Sequence, residues 1–100
     1  MVQVVERPHG VAVCGVLDVR AAADVRAALS RAMDATDGDV HLDVSGVDAV
    51  DVTGLAVIVA VHRRALRQGR RLVIIGVRPS MARVLAVTRL HRVLALTRAA

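Results

Sequence analysis

One hundred residues suffice for one hydrophobic core and not for two, so residues 1–100 are read as a single domain. The chain is 55% hydrophobic with no Phe, Tyr or Trp, so its core must be aliphatic, and aromatic stacking on bases is excluded. The net charge is +5, and all 14 basic side chains are Arg.

Residues 1–51 hold all nine acids and four Arg, a balance of −5, whereas residues 52–100 hold ten Arg and no acid. Such asymmetry marks some nucleic-acid and membrane surfaces. Here the Arg are scattered over helix and strand ends, which favours a solubilising role. No basic recognition helix or helix-turn-helix pattern is present, so no direct nucleic-acid partner is expected. The apolar run Leu55 to Val61 falls far short of the roughly 20 residues of a membrane span, so no membrane insertion is expected. The N-terminus lacks the basic-then-apolar order of a signal peptide, and a cytoplasmic location is expected.

Val2 to Val5 reads as a first strand, Arg7-Pro8-His9-Gly10 as a turn, and Val11 to Leu17 as a second strand completing a hairpin. Cys14 lies in that apolar run and is predicted to be a buried core thiol. Asp18 can cap the next helix, about Arg20 to Ala35, where Val25, Ala28, Leu29, Ala32 and Met33 form one apolar stripe. Val40 to Val44 alternates as a half-buried strand, and Ser45 to Gly54 is predicted as the loop into a second helix, Leu55 to Gln68. Gly69 stands where a left-handed C-terminal cap is expected.

Leu55, Ile58, Val59, His62 and Leu66 make one stripe of that second helix. Ala56, Val57, Ala60 and Val61 make its first turns apolar on a second face as well. Either a neighbouring element covers that face or it docks another protein, and the sequence leaves both open. Leu72 to Val77 is continuously apolar, the pattern of a strand covered on both faces. Pro79-Ser80 opens a third helix, Met81 to about Thr88, with Val84 and Leu85 inward. Val93 to Leu96 is predicted as a short edge strand and Thr97 to Ala100 as a frayed end. The order implies an α/β fold: a mixed β-sheet with an opening hairpin, then alternating α and β, with helices packed on it. Asp18, Asp48, Asp51 and Thr53 should gather at one end of the sheet, and Arg67, Arg70 and Arg71 at the other.

The informative side chain is Thr53. The first N–H groups of a helix lack internal partners and carry partial positive charge. Asp51 is a good N-cap, and Thr53 follows in the first turn beside Gly54. A phosphate on Thr53 would meet those donors, so the domain should survive the modification while the surface it shows changes. Nucleophilic catalysis would need a base in reach, and His9, His41, His62 and His91 are dispersed along the chain, so an enzyme is not expected. His41 and His62 read as ordinary strand and helix residues. The His spacing and the single Cys do not make a metal site, and the lack of a Gly-rich run or Lys weighs against a phosphate-cradling cofactor loop.

Leu42-Asp43-Val44-Ser45-Gly46-Val47-Asp48-Ala49-Val50-Asp51-Val52-Thr53-Gly54-Leu55 resembles the signature of STAS domains, the sulphate-transporter and anti-sigma-factor-antagonist family. Gly15-Val16-Leu17-Asp18 resembles the family's Gly-x-Leu-Asp, and Pro79 to Leu85 its third-helix start. The resemblance covers nearly the whole chain and is nearest to the single-domain anti-sigma factor antagonists. It implies a mixed sheet with helices on it, and as partner an anti-sigma factor that is also an ATP-dependent Ser/Thr kinase. The unmodified antagonist would sequester that partner and free a sigma factor, and phosphorylation of the hydroxyl before Gly, here Thr53, would break the complex. A phosphatase and a second copy of the chain complete the partners so implied. The contact set carried over is Asp18, Asp51, Val52, Thr53, Gly54, Leu55 and Val57, with no cofactor. Four departures stand out: Val52 where the family often has Ser, Arg89 where the third helix often ends in Gly, a short tail in which a last family helix is expected to be missing, and the basic charge. Two other roles of the same fold remain, a STAS subunit bracing the ATPase of a lipid-transport ABC complex and a non-switching scaffold or ligand sensor.

Overall fold

The computed structural model describes the backbone of residues 2–98 and the side chains of residues 2–95. Strands β1 (Gln3–Arg7) and β2 (Gly10–Leu17) form an antiparallel hairpin around Pro8 and His9, with Arg7 opposite Gly10. Helix α1 (Val19–Ala35), β3 (Val40–Val50), α2 (Val52–Arg67), β4 (Leu72–Val77), α3 (Pro79–Val87), a 3-10 turn (Leu90–Arg92) and β5 (Ala95–Arg98) follow. The sheet runs β1-β2-β3-β4-β5, parallel from β2 onward. Each parallel step moves in one direction, so right-handed crossovers place all three helices on one face of the sheet.

That single covered face sets the burial. Val11 and Val13 of β2, Val40, Leu42 and Val44 of β3, and Leu72 and Ile74 of β4 are buried in one aliphatic cluster. Against them pack Val25, Leu29 and Met33 of α1, Leu55, Ile58 and Ala65 of α2, and Met81 and Leu85 of α3. The residues between these strand positions face outward: His41 is exposed and Asp43, Val73 and Ile75 are half-buried. Strand β4 is therefore an interior strand covered fully on one face only, against the expectation of cover on both. Cys14 is exposed, not a core thiol, because the two-residue period places it on the open face.

The stretch Ser45–Val50, expected as loop, continues β3. Two register shifts relative to β2 place an extra β3 residue between Ala12 and Cys14 and another between Gly15 and Val16. Pairing lapses at Val44–Ser45 and at Asp48 and resumes beyond each bulge, which resets which side chains face inward and so erases the alternation by which a strand is read. Pairing to β4 stops at Asp43 opposite Ile75, so the bulged half of β3 is held by β2. Helix α2 accordingly begins three residues earlier than expected and ends at Arg67, and beyond its cap Gln68 stands Gly69, whose φ of 68° and amide bond to Leu66 O make the left-handed stop.

Helix α3 begins on Pro79, and Leu85 is buried while Val84 is half-buried against the core. Leu66, expected inward, is exposed. Strand β5 begins at Ala95, two residues later than expected, because Leu90–Arg92 forms a turn first. Thr97 and Arg98 lie in that strand and are not frayed, and Ala99 and Ala100 lie outside the described residues. His62 is buried on α2, and neither ring nitrogen has a hydrogen-bond partner among the described residues.

Candidate functional site

The site is built where β2 and β3 end and α1 and α2 begin. Asp18 is the N-cap of α1, its Oδ1 accepting from the amides of Arg20 (3.0 Å) and Ala21 (3.2 Å). Asp51 is the N-cap of α2, and its Oδ1 accepts from the Gly54 amide at 2.9 Å. Its second oxygen accepts from the Val19 amide, the first residue of α1, at 3.2 Å. The Asp51 amide in turn donates to Leu17 O at 3.1 Å. The Asp51 carboxylate thus ties the starts of both helices together, and its backbone amide ties them to the end of β2.

Gly54 completes the joint. A Cβ there would lie 2.4 Å from Leu17 O and 2.8 Å from Leu17 Cγ. Its role is close approach of α2 to β2, and it is buried, so it is not free surface beside Thr53.

Thr53 is the second residue of α2 and is exposed, as are Asp51 and Val52, the last at 81%. The amides of Val52 and Thr53, the first two of the helix, have no hydrogen-bond partner among the described residues. The Thr53 hydroxyl likewise forms no hydrogen bond there. Thr53 is open to a visiting chain and lies in the helix's first turn, where two donors are unpaired at the positive end of the helix dipole.

The carried-over contact set divides on burial. Asp51, Val52 and Thr53 are exposed and Asp18 is half-exposed. Val57, at 3%, points into the core and does not reach the surface, because α2 is covered by α1 on that side as well as by the sheet. Leu55, at 7%, is reached only as the floor of a groove, and Gly54 only through the backbone. The second apolar face of α2 is therefore split, with Val57 and Val61 covered and Ala56 and Ala60 exposed. Ala56 and Ala60 line a groove of about 410 Å³ with Val52, Leu55, Val59, Arg63, Thr88 and Leu90. The α2 half of this groove was visible as a second apolar face, whereas Thr88 and Leu90 join it only because the turn after α3 folds back toward α2.

The electrostatic division between the two ends is partial. Asp18, Asp48 and Asp51 do sit at the Thr53 end, but Arg78 follows β4 at the same end and reaches Asp48 at 3.3 Å. At the far end Arg71 pairs with Asp39 at 3.3 Å, and Arg70 donates to the carbonyls of Thr36 and Gly38. On the open sheet face, Asp43 accepts from the Ser45 amide (2.9 Å) and hydroxyl (2.7 Å) and pairs with Arg7 at 3.3 Å. The Ser45 bonds first, then Arg7, hold the Asp43 carboxyl below its ordinary range. Among the described residues no three His, Cys, Asp or Glu side chains gather as metal ligands. No helix there is long and apolar enough to cross a membrane.

No curated protein matches the chain. Solved structures do. An anti-sigma factor antagonist from Mycobacterium paratuberculosis superposes with a TM-score of 0.83 at 19% identity, covering 96% of this chain and 85% of that one. An anti-sigma-factor antagonist (STAS) domain protein from Planctomyces limnophilus gives 0.76 at 17% identity, covering 97% and 89%. The anti-sigma factor antagonist SpoIIAA in its unphosphorylated form gives 0.69 at 18% identity, covering 100% and 90%. At these identities the likeness is one of fold. A family model described as "Mlab, STAS domain" matches residues 1–97. The match runs through the Asp51-Val52-Thr53-Gly54 joint and nearly the whole chain, and the protein belongs to the STAS domain family.

Proposed function

We propose that the protein is an anti-sigma factor antagonist, a docking module whose hold on an anti-sigma factor is released by phosphorylation of Thr53. The observation that carries this reading is the exposed Thr53 hydroxyl in the first turn of α2, beside two unpartnered amides. Asp51 already caps Gly54, so the fold does not need Thr53 for its own hydrogen bonding. A phosphate there adds about −1.5 to −2 charges next to Asp51. The two free amides can donate to it without unfolding the helix, whereas a partner pressed on this surface must desolvate it. Asp51, Val52 and Thr53 are then contact residues, with Asp18 at the rim. The protein is the substrate of the chemistry, and the partner kinase is its catalyst.

The test is incubation with ATP and a kinase-type anti-sigma factor encoded in a neighbouring reading frame, read by intact mass. The parent should gain one phosphate and Thr53→Ala none. Thr53→Glu should bind that partner at least about tenfold more weakly, a loss of roughly 1.4 kcal/mol. A Thr53→Ala variant that gains phosphate as readily as the parent removes Thr53 from the scheme.

The exposed apolar residues Val52, Ala56 and Ala60 favour a second reading, a STAS subunit docked on the ATPase of a lipid-transport ABC complex. Thr53 would then be a contact and not a phosphoacceptor. Neighbouring genes for an ATPase and a permease, with Thr53→Glu leaving binding unchanged, would select that reading over the first.

A further inference from the structure

The exposed face of α2 changes character along its length. Val52, Ala56, Ala60, Arg63 and Arg67 follow one another at helical spacing and all are exposed. The first three are apolar and small or branched, and the last two are cations. The groove described above is lined by this apolar part together with Leu55, Val59, Arg63, Thr88 and Leu90. Arg89 and Arg92, both exposed, flank Leu90.

These four Arg differ from others in the chain. Arg64, Arg71 and Arg78 each pair with an aspartate, but Arg63, Arg67, Arg89 and Arg92 form no salt bridge among the described residues. No acid lies in the sequence from Val52 onward to supply one locally. Arg89 is held with a φ of 61°, a left-handed conformation that favours glycine, so a long side chain stands where the backbone prefers none. A second copy of the chain would bring Arg against Arg, which disfavours self-association on this face.

We infer that this groove seats an amphipathic helix of the partner whose first turn is acidic, lying antiparallel to α2. Apolar side chains of that helix would enter over Ala56 and Ala60, whose small size lets two helices approach closely. Its acidic first turn would meet Arg63 and Arg67, and Arg89 and Arg92 across the groove. Acids belong in a helix's first turn because they oppose its dipole, and an antiparallel neighbour places that turn over the C-terminal half of α2. The span from Val52 to Arg67 is about 22 Å, four turns of helix. This rests on the docking-module reading above, but not on whether Thr53 is phosphorylated.

The test titrates the full chain with labelled synthetic helices of about 18 residues sharing one Leu stripe. One carries Glu in the first turn, one carries the same Glu in the last turn, and one carries Lys in the first turn. Binding is read by fluorescence anisotropy in low and high salt, alongside co-sedimentation with phosphatidylglycerol–phosphatidylcholine vesicles. The first peptide should bind at least about tenfold more tightly than the other two, and raising NaCl from about 50 to 300 mM should weaken it about tenfold. Arg63→Glu with Arg67→Glu should reverse the preference between the Glu and Lys first-turn peptides. Ala60→Trp should block both, with circular dichroism showing each variant folded. Equal binding of all three peptides, no binding of any, or capture by vesicles alone overturns the assignment. If Thr53→Ala abolishes phosphorylation while the peptides are not distinguished, the switch stands and the groove falls. The reverse result leaves the groove and removes the switch.

Discussion

At the residue scale, Gly54 and Asp51 show why the Thr53 hydroxyl can be exposed without cost to the fold. Asp51 satisfies the α2 amide that matters for the joint, and Gly54 lets the helix sit on the end of β2. Gly54→Ala places a Cβ against the Leu17 backbone oxygen, which cannot swing away, as well as against the Leu17 side chain. It should destabilise the protein by about 1–3 kcal/mol, read as a lowered urea midpoint, even though alanine is the better helix former. Asp43 gives a pH signature. Its carboxyl has an ordinary value of 3.8, and in the fold the Ser45 amide and hydroxyl, then Arg7, hold it lower. On acidification the unfolded chain takes up this proton before the folded chain does. The contribution is therefore fully present above about pH 4 and is lost as pH falls through the lower folded value. Asp43→Asn should flatten the acid limb of the stability profile, measured by urea unfolding at stepped pH. An unchanged limb would show that Asp43 carries none of it.

At the element scale, the lesson of the sheet is that apolar content alone does not say how many faces are covered. Val73 and Ile75 of β4 and Cys14 of β2 are apolar or nearly so, yet they lie on the open face. Cys14 should therefore react with Ellman's reagent in the native protein, at a rate within about tenfold of the urea-unfolded chain. Protection of the thiol until unfolding would contradict the one-sided packing. The same one-sidedness explains α2. Its buried arc is wide because it packs on both the sheet and α1, and its remaining arc supplies Thr53, Val52, Ala56 and Ala60 to the surface.

At the scale of the whole molecule, one aliphatic cluster joins all three helices to the three central strands. Unfolding should then be a single transition in which far-ultraviolet circular dichroism and urea-gradient mobility share one midpoint. Two separated midpoints would divide the chain into more than one cooperative unit. The charge is less polarised than its distribution along the sequence suggests, since Arg64, Arg71 and Arg78 from the second half fold onto Asp34, Asp39 and Asp48 from the first. Among the described residues the Arg without a salt bridge include Arg63 and Arg67 on α2 and Arg89 and Arg92 beside Leu90, as well as Arg20, Arg26 and Arg83 elsewhere.

The sequence alone determined the element order, the N-caps Asp18 and Asp51, the Gly69 stop and the position of Thr53 in the first turn of α2. These are set by neighbours within a few residues, through hydrogen bonds and backbone geometry that the residue types themselves impose. It also carried the family, through spacing across the Asp51–Gly54 joint. The bulged second half of β3 was hidden, because bulges break the two-residue period while the strand goes on pairing with β2 beyond them. The exposure of Cys14, the burial of Val57 and the groove between Ala60 and Leu90 were decided by tertiary structure. Each depends on which face of an element another element covers, and that is fixed by crossover handedness and packing between segments distant in sequence.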